Sequence, residues 1–205
     1  MSLPNVDKVF VVSLERRKER RLRTCAQLTR MGIAHEVFDA FDGAELRLET
    51  EVRSRFLDDH PLPVGRLGNY LSQVAIFRES VRRGYGNVLI VEDDASFCSR
   101  FVERATRAIA DLPADWDMLY FGVWDWNEDA GQPVTEAIYR PGRPLLRHAV
   151  LHSAKALPIL IEKTRKLTET IDITISRLAG ELNIYATRAR LAWQVEATNV
   201  GSLAS

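Results

Sequence analysis

The chain has 205 residues, 46% hydrophobic and 27% charged, which is the balance of a globular domain and not of a disordered or fibrous chain. Its 28 Lys and Arg are matched by 28 Asp and Glu, so the net charge is zero, which weighs against a dedicated nucleic-acid binder. No apolar run approaches the ~20 residues of a bilayer span. No basic-then-apolar leader opens the sequence, and Cys25 and Cys98 lack metal or framework spacing. Reduced thiols in a cytoplasmic protein are therefore expected.

The first element predicted is a strand at Lys8 to Leu14, an apolar run of the kind buried on both faces of a sheet. A charged helix follows from Arg16 to Met31, with Gly32 as its stop. Most of the arginines in its first turns read as a solvated face, but one or two are placed to meet an anionic ligand. A second strand is expected at Ala34 to Phe38, ending in a turn at Asp42-Gly43. Glu45 to Pro63 reads as a loop or short helix covering something. Leu67, Tyr70, Leu71, Val74, Phe77 and Val81 then recur at helical spacing until Gly84.

Asn87 to Asp94 is a buried strand with three carboxylates, Glu92, Asp93 and Asp94, at its end. A helix at Ser99 to Asp111 and a strand at Trp116 to Gly122 follow. Residues 123–144 are rich in Gly, Pro and acidic residues and read as a loop or hairpin region. A strand at His148 to Leu151, a helix at Ala154 to Lys166, a helix at Asp172 to Leu178 and short strands near Ile184 and Leu191 complete the order. Pro158 is tolerable only in the first turn of its helix. Strands alternating with helices specify one α/β domain with a mostly parallel central sheet. Open sheets of this kind bind ligands at the carboxyl ends of their strands. Ser13-Leu14, Asp39 to Gly43 and Glu92 to Asp94 should therefore surround one site.

Adjacent carboxylates repel one another, more strongly as they leave water. A hard divalent cation, Mg²⁺ or Mn²⁺, relieves that repulsion and completes its shell with phosphates. A solvated acidic turn capping the next helix would have the same sequence. The scattered histidines, His35, His60, His148 and His152, do not make a metal site. No nucleophile elbow, Cys/His pair or phosphate-binding Gly-Lys loop is present, and Gly84-Tyr85-Gly86 is a helix-to-strand turn. Trp124 and Trp126, flanking Asp125, read as packing residues more than as stacking platforms.

The ordered set of Val9 to Arg20, Phe38 to Gly43, Leu67 to Gln73, Val88 to Ala95 and Trp116 to Gly122 resembles glycosyltransferase family 25, the lipooligosaccharide and lipopolysaccharide galactosyltransferase group. Weaker matches fall at Val150 to Leu160, Ile171-Asp172 and Ala192 to Gln194. The resemblance implies a GT-A-like nucleotide-sugar-binding sandwich, with residues 1–122 as the nucleotide-sugar half and 123–205 as the acceptor side. It implies a UDP-hexose donor, usually UDP-galactose, an acceptor glycan that is often lipid-linked, and inverting transfer. A lipid-linked acceptor would bring the chain to the inner face of a membrane. Glu92 and Asp94 correspond to the metal-binding acidic signature. Asp172 is the first candidate for the general base, although an aspartate opening a helix is also an ordinary N-cap. Asp93 is the second. Donor binding falls to Ser13, Leu14, Arg16, Arg20, Ala40, Asp42, Ser72, Gln73 and Gln194, with Ser202 near the diphosphate. Family members usually carry Asn-Leu at Ser13-Leu14 and Ser-His at Ser72-Gln73. Gln73 and the short chain leave open a non-catalytic relative that binds nucleotide-sugar or glycan. A metal-dependent nucleotidyl or phosphotransfer enzyme is the other alternative.

Overall fold

Phe10, Val11, Leu89, Ile90 and Val91 are all at most 1% exposed, because their strands are covered on both faces. Burying each such side chain contributes ~1.5–3 kcal/mol, so these runs fix the centre of the domain. The computed structural model describes residues 3–46, 64–125, 131–167 and 169–195. Most of the expected covering segment at 45–63, together with His60, Trp126 and Ser202, lies outside the described residues.

The strands are β1 (Lys8–Ser13), β2 (Glu36–Asp39), β3 (Val88–Glu92), β4 (Ala95–Phe97), β5 (Met118–Tyr120), β6 (Trp124–Asp125), β7 (Gln132–Pro133), β8 (Ile138–Arg140), β9 (Pro144–Leu145), β10 (Ala149–His152), β11 (Ile184–Thr187) and β12 (Ala192–Gln194). The helices are α1 (Lys18–Arg30), α2 (Val64–Arg82), α3 (Phe101–Ala110), α4 (Ala156–Lys163) and α5 (Ile171–Ser176), followed by a short 3₁₀ turn at Arg177–Gly180. The main sheet has the order β2-β1-β3-β10-β5-β11-β8-β7. Strands β2, β1, β3, β5 and β11 share one direction, and β10 and β8 run against them. The expected α/β sandwich and predominantly parallel sheet are present, with β10 inserted in reverse between β3 and β5.

Alternating side chains divide the core in two. On one face Val11, Leu89 and Phe121 pack with Leu28 of α1 and with Phe101 and Ala105 of α3. On the other, Phe10, Ile90 and Tyr120 pack with Tyr70 and Phe77 of α2, Leu157 and Leu160 of α4 and Ile175 of α5. Gly32 (φ 69°) and Gly84 (φ 67°) end α1 and α2 in the left-handed region that favours glycine. Pro158 occupies the first turn of α4, where its missing N–H costs nothing. Thr170 caps α5, its side chain accepting from the Ile173 N–H, so the capping alternative for Asp172 is answered by a neighbour.

The acidic triplet does not lead into a helix. It forms a tight connection from β3 to β4, and β4 pairs antiparallel with β12 as a separate two-stranded ribbon. The 123–144 region holds the β7–β8 hairpin and β6 paired with β9. Trp124 on β6 is 50% exposed. No helix among the described residues is long and apolar enough to cross a membrane.

Candidate active site

The carboxyl ends of β1, β2 and β3 meet at a cleft of about 320 Å³ between the start of α1 and the start of α2. Ser13, Leu14, Arg16, Arg20, Ala40, Asp42, Glu92, Asp93, Asp94 and Gln194 all line it. The three sequence segments expected around one site are thus brought together.

Arginines and carboxylates alternate along its wall. Arg16 donates to Asp42 at 2.6 Å, and Asp42 also accepts the Ala44 N–H at 3.1 Å. That pair sets the 40–44 turn and lowers the Asp42 pKa, chiefly through the Arg16 hydrogen bond. Arg20 spans two members of the triplet. Its Nε lies 3.2 Å from Asp93 Oδ1, and its guanidinium also donates to Asp94. Asp93 Oδ2 accepts from Ser13 Oγ at 2.8 Å, and the Asp93 carbonyl accepts from Thr24 Oγ1 at 2.8 Å. Both carboxylate oxygens of Asp93 are therefore engaged, and the residue ties β1 and α1 to the triplet.

Glu92 sits deeper. Asn69 Nδ2 donates to one of its oxygens at 3.1 Å and Gln194 Nε2 to the other at 3.2 Å. Its pKa is held well above the usual carboxylate range, first by burial, then by the negative charges of Asp94 and Asp172. Two neutral amides do not offset that crowding, so the donor set suits one added positive charge shared by Glu92 and Asp94. Among the described residues, no group of three or more His, Cys, Asp or Glu is arranged to hold a metal. A cation here would have two protein carboxylates and would share Asp94 with Arg20.

Ser72 and Gln73 do not line the cleft, because both side chains lie inside α2's packing and are fully buried. Ser72 acts at one remove: the Phe41 N–H donates to its Oγ at 2.9 Å, and its Oγ donates to the Gly68 carbonyl at 2.6 Å. It thereby pins the turn that carries Asp42. Both amide atoms of Gln73 lack a hydrogen-bond partner among the described residues. Asp172 is also outside the cleft lining. It stands in the first turn of α5, half-buried, with its pKa raised by burial and drawn back by Arg147 and Arg66.

Several contributors carry no local signal. Asn69 lies within a segment the resemblance covers, but its hydrogen bond to Glu92 depends on the α2–β3 packing. Arg147 is 1% exposed, donates to the Tyr120 hydroxyl at 3.3 Å and to His152 Nε2 at 3.0 Å, and faces the Phe77 ring at 6.0 Å. Its charge acts on both Glu92 and Asp172 and draws their pKa values down against the effect of burial. Leu146, just before it, has φ 66°, a strained setting for a bulky residue. His148 and His152 are core histidines kept neutral by burial, far from any metal-ligand role. Cys25 and Cys98 are free thiols.

The sequence model of Glycosyltransferase family 25 (LPS biosynthesis protein) matches residues 6–149. A human protein named inactive glycosyltransferase 25 family member 3 is 39% identical over 129 residues, covering 57% of this chain and 22% of the relative. A Drosophila melanogaster glycosyltransferase 25 family member is 34% identical over 144 residues, covering 65% and 24%. Mouse procollagen galactosyltransferase 2 is 28% identical over 128 residues, covering 57% and 20%. The chain thus spans about a quarter or less of the length of these relatives. Among solved structures it aligns with A197 from STIV at a TM-score of 0.48 and 11% identity, over 91% of this chain and 84% of that one. It aligns with a Drosophila β1,4-galactosyltransferase 7 mutant in complex with manganese, UDP-Gal and xylobiose at 0.44 and 13%, over 92% and 70%. On the match across residues 6–149, the chain belongs to glycosyltransferase family 25.

Proposed function

We propose that this chain transfers a hexose, galactose first among them, from a UDP-sugar to a glycan acceptor in surface-polysaccharide assembly. The observation that carries the reading is the cleft at the carboxyl ends of β1 to β3, where Arg16 and Arg20 stand beside Glu92 and Asp94. Guanidinium groups recognise a diphosphate by paired hydrogen bonds. Leu14, Ala40 and the 40–44 turn leave an apolar and backbone-lined wall suited to a nucleoside. Glu92 and Asp94 would hold Mn²⁺ or Mg²⁺ together with phosphate oxygens, and such an ion supplies charge compensation to a departing nucleoside diphosphate. Arg20 supports the same charge from the protein side. Gln194, on β12, closes the cleft over Glu92.

Asp172 is our first choice for the group that takes the proton from the acceptor hydroxyl. Burial makes it a stronger base than an exposed aspartate, and its charge is felt by Glu92, which lines the cleft. Residues 123–195 then supply the acceptor side. A lipid-linked acceptor would bring the chain to the cytoplasmic face of a membrane as a peripheral partner.

A second reading has specific support. The human relative at 39% identity carries the name inactive, and Gln73 is sealed in the core without a hydrogen-bond partner among the described residues. On that reading the cleft binds nucleotide-sugar without turnover. Calorimetry with a UDP-hexose panel, with Mn²⁺ and again with a chelator, tests the donor site. UDP release in the presence of glycan acceptors separates the two readings. Metal-dependent binding with acceptor-stimulated release supports the transferase. Binding without release moves the weight to the non-catalytic module, and no binding to folded protein refutes both.

A further inference from the structure

A second concave site lies on the same carboxyl edge of the sheet. It is a pocket of about 190 Å³ between α3 and the end of β11, lined by Arg104, Arg107, Ala137, Thr187 and Leu191, with Glu136 at its rim. Its floor is apolar and its mouth is cationic. Arg104 is exposed and makes no ion pair among the described residues, whereas Arg107 donates to Glu136 at 2.7 Å. Arg188 and Arg190, exposed on either side of Ala189, extend the positive surface next to it. Glu136 is the one carboxylate in the pocket lining, and Glu103 on α3 also interacts with Arg104, so guanidinium groups outnumber carboxylates around the mouth in a protein of zero net charge.

The floor holds an unspent polar group. Thr187 is 4% exposed, and its Oγ1 has no hydrogen-bond partner among the described residues. A buried hydroxyl left unpaired is destabilising, so a ligand oxygen that reaches it as the pocket floor opens locally gains a hydrogen bond the free protein lacks. Thr187 ends β11 on the α3 face of the sheet.

The position relative to the cleft is informative. From β3 to β11 the sheet has three inter-strand steps of about 4.8 Å, roughly 14 Å. One short stretch joins the sites: Leu191 lines the second pocket, and Gln194, three residues on, lines the cleft. Both open at the sheet edge where ligands of such folds bind. This is the span of an extended acceptor whose reacting end lies at the cleft.

We propose that the Arg104–Arg107–Thr187 pocket binds an anionic group, carboxylate or phosphate, on the acceptor glycan, so that the acceptor is an acidic oligosaccharide. The inference rests on the glycosyltransferase reading of the cleft. Amide chemical-shift titration of the full chain tests it, with galacturonate, galactose 6-phosphate and neutral galactose as probes and UDP-galactose titrated separately. Saturable shifts at Ala137, Thr187 and Ala189 with one or both anions, absent with galactose, are expected. The Arg104→Gln/Arg107→Gln variant should bind the anion at least fivefold more weakly, and 0.5 M NaCl should weaken it several-fold. UDP-galactose shifts at Arg20 and Asn69 should stay the same in that variant, which also reports that it is folded. Equal shifts with galactose, no saturable shift with either anion, or undiminished affinity in the variant overturns the proposal. Anion binding without any UDP-galactose response would leave an anion site but overturn its assignment to an acceptor, and would fault the cleft reading separately.

Discussion

His148 offers a quantitative test of the packing behind the cleft. Its side chain is 2% exposed, and its Nε2–H donates to the Ala192 carbonyl at 2.9 Å. That bond anchors the start of β12, whose Gln194 reaches Glu92. Burial is the main cause that lowers the His148 pKa from 6.5 to about 4, and the Ala192 hydrogen bond only partly opposes it. The unfolded chain therefore binds a proton at pH 5 that the folded protein refuses. Stability from this group is complete above pH 6.5 and is lost as pH falls from 6.5 towards 4. Two proton equilibria with those constants give a loss of ~2 kcal/mol between pH 7 and pH 5. His148→Gln keeps a side-chain N–H donor but does not titrate. Urea unfolding of both proteins at pH 7 and pH 5 should show the wild type losing ~2 kcal/mol more than the variant across that interval. His152 and the carboxylates titrate in both proteins and cancel in the difference. Equal pH dependence in the two would refute the assignment of His148 as a buried neutral base.

Three further perturbations follow from particular contacts. A Cβ on Gly68 would stand 2.3 Å from the Phe41 carbonyl oxygen and 2.9 Å from the Gly43 nitrogen, both backbone atoms. Gly68→Ala should thus lose the ~1 kcal/mol helix gain to the clash and displace the 41–43 turn, with UDP-sugar affinity falling about tenfold by calorimetry; unchanged affinity and higher stability would count against the turn as a cleft wall. Arg147→Met leaves the Tyr120 hydroxyl, His152 Nε2 and two carboxylates without their buried cation, and should cost about 3–5 kcal/mol in urea unfolding. Adding Asp172→Asn should restore about 1–2 kcal/mol, and strict additivity would show that the two do not interact. Arg20→Met removes the cation held between Asp93 and Asp94 and should weaken UDP binding at least tenfold in a chelator, where no added ion compensates; an unchanged Kd would remove Arg20 from the diphosphate site.

Much of the active-site cleft is legible because three short motifs sit at strand ends. Ser13-Leu14, the Asp42 turn and Glu92-Asp93-Asp94 each follow a strand whose direction a βαβ pattern dictates, so their convergence is a consequence of topology. Ser72 and Gln73 lie in a segment the resemblance covers, but they face inward from α2 and do not line the cleft. Asp172 lies outside the cleft lining although its charge acts on Glu92, and no spacing rule encodes that placement.

What the sequence by itself determined is local: the apolar runs at Val9 to Val12 and Val88 to Val91, the glycine stops at Gly32 and Gly84, and the placement of carboxylates at a strand end. These depend on side-chain burial, backbone freedom and hydrogen bonds within a few residues. The tertiary structure alone decided that β10 enters in reverse between β3 and β5, that the triplet turns into the β4–β12 ribbon, and that the buried Arg147 acts on Glu92 and Asp172. Each of those outcomes requires partners about 25 to 100 residues apart, held by packing and by charge pairing in a medium less polar than water, where a single guanidinium or carboxylate acts over several ångströms.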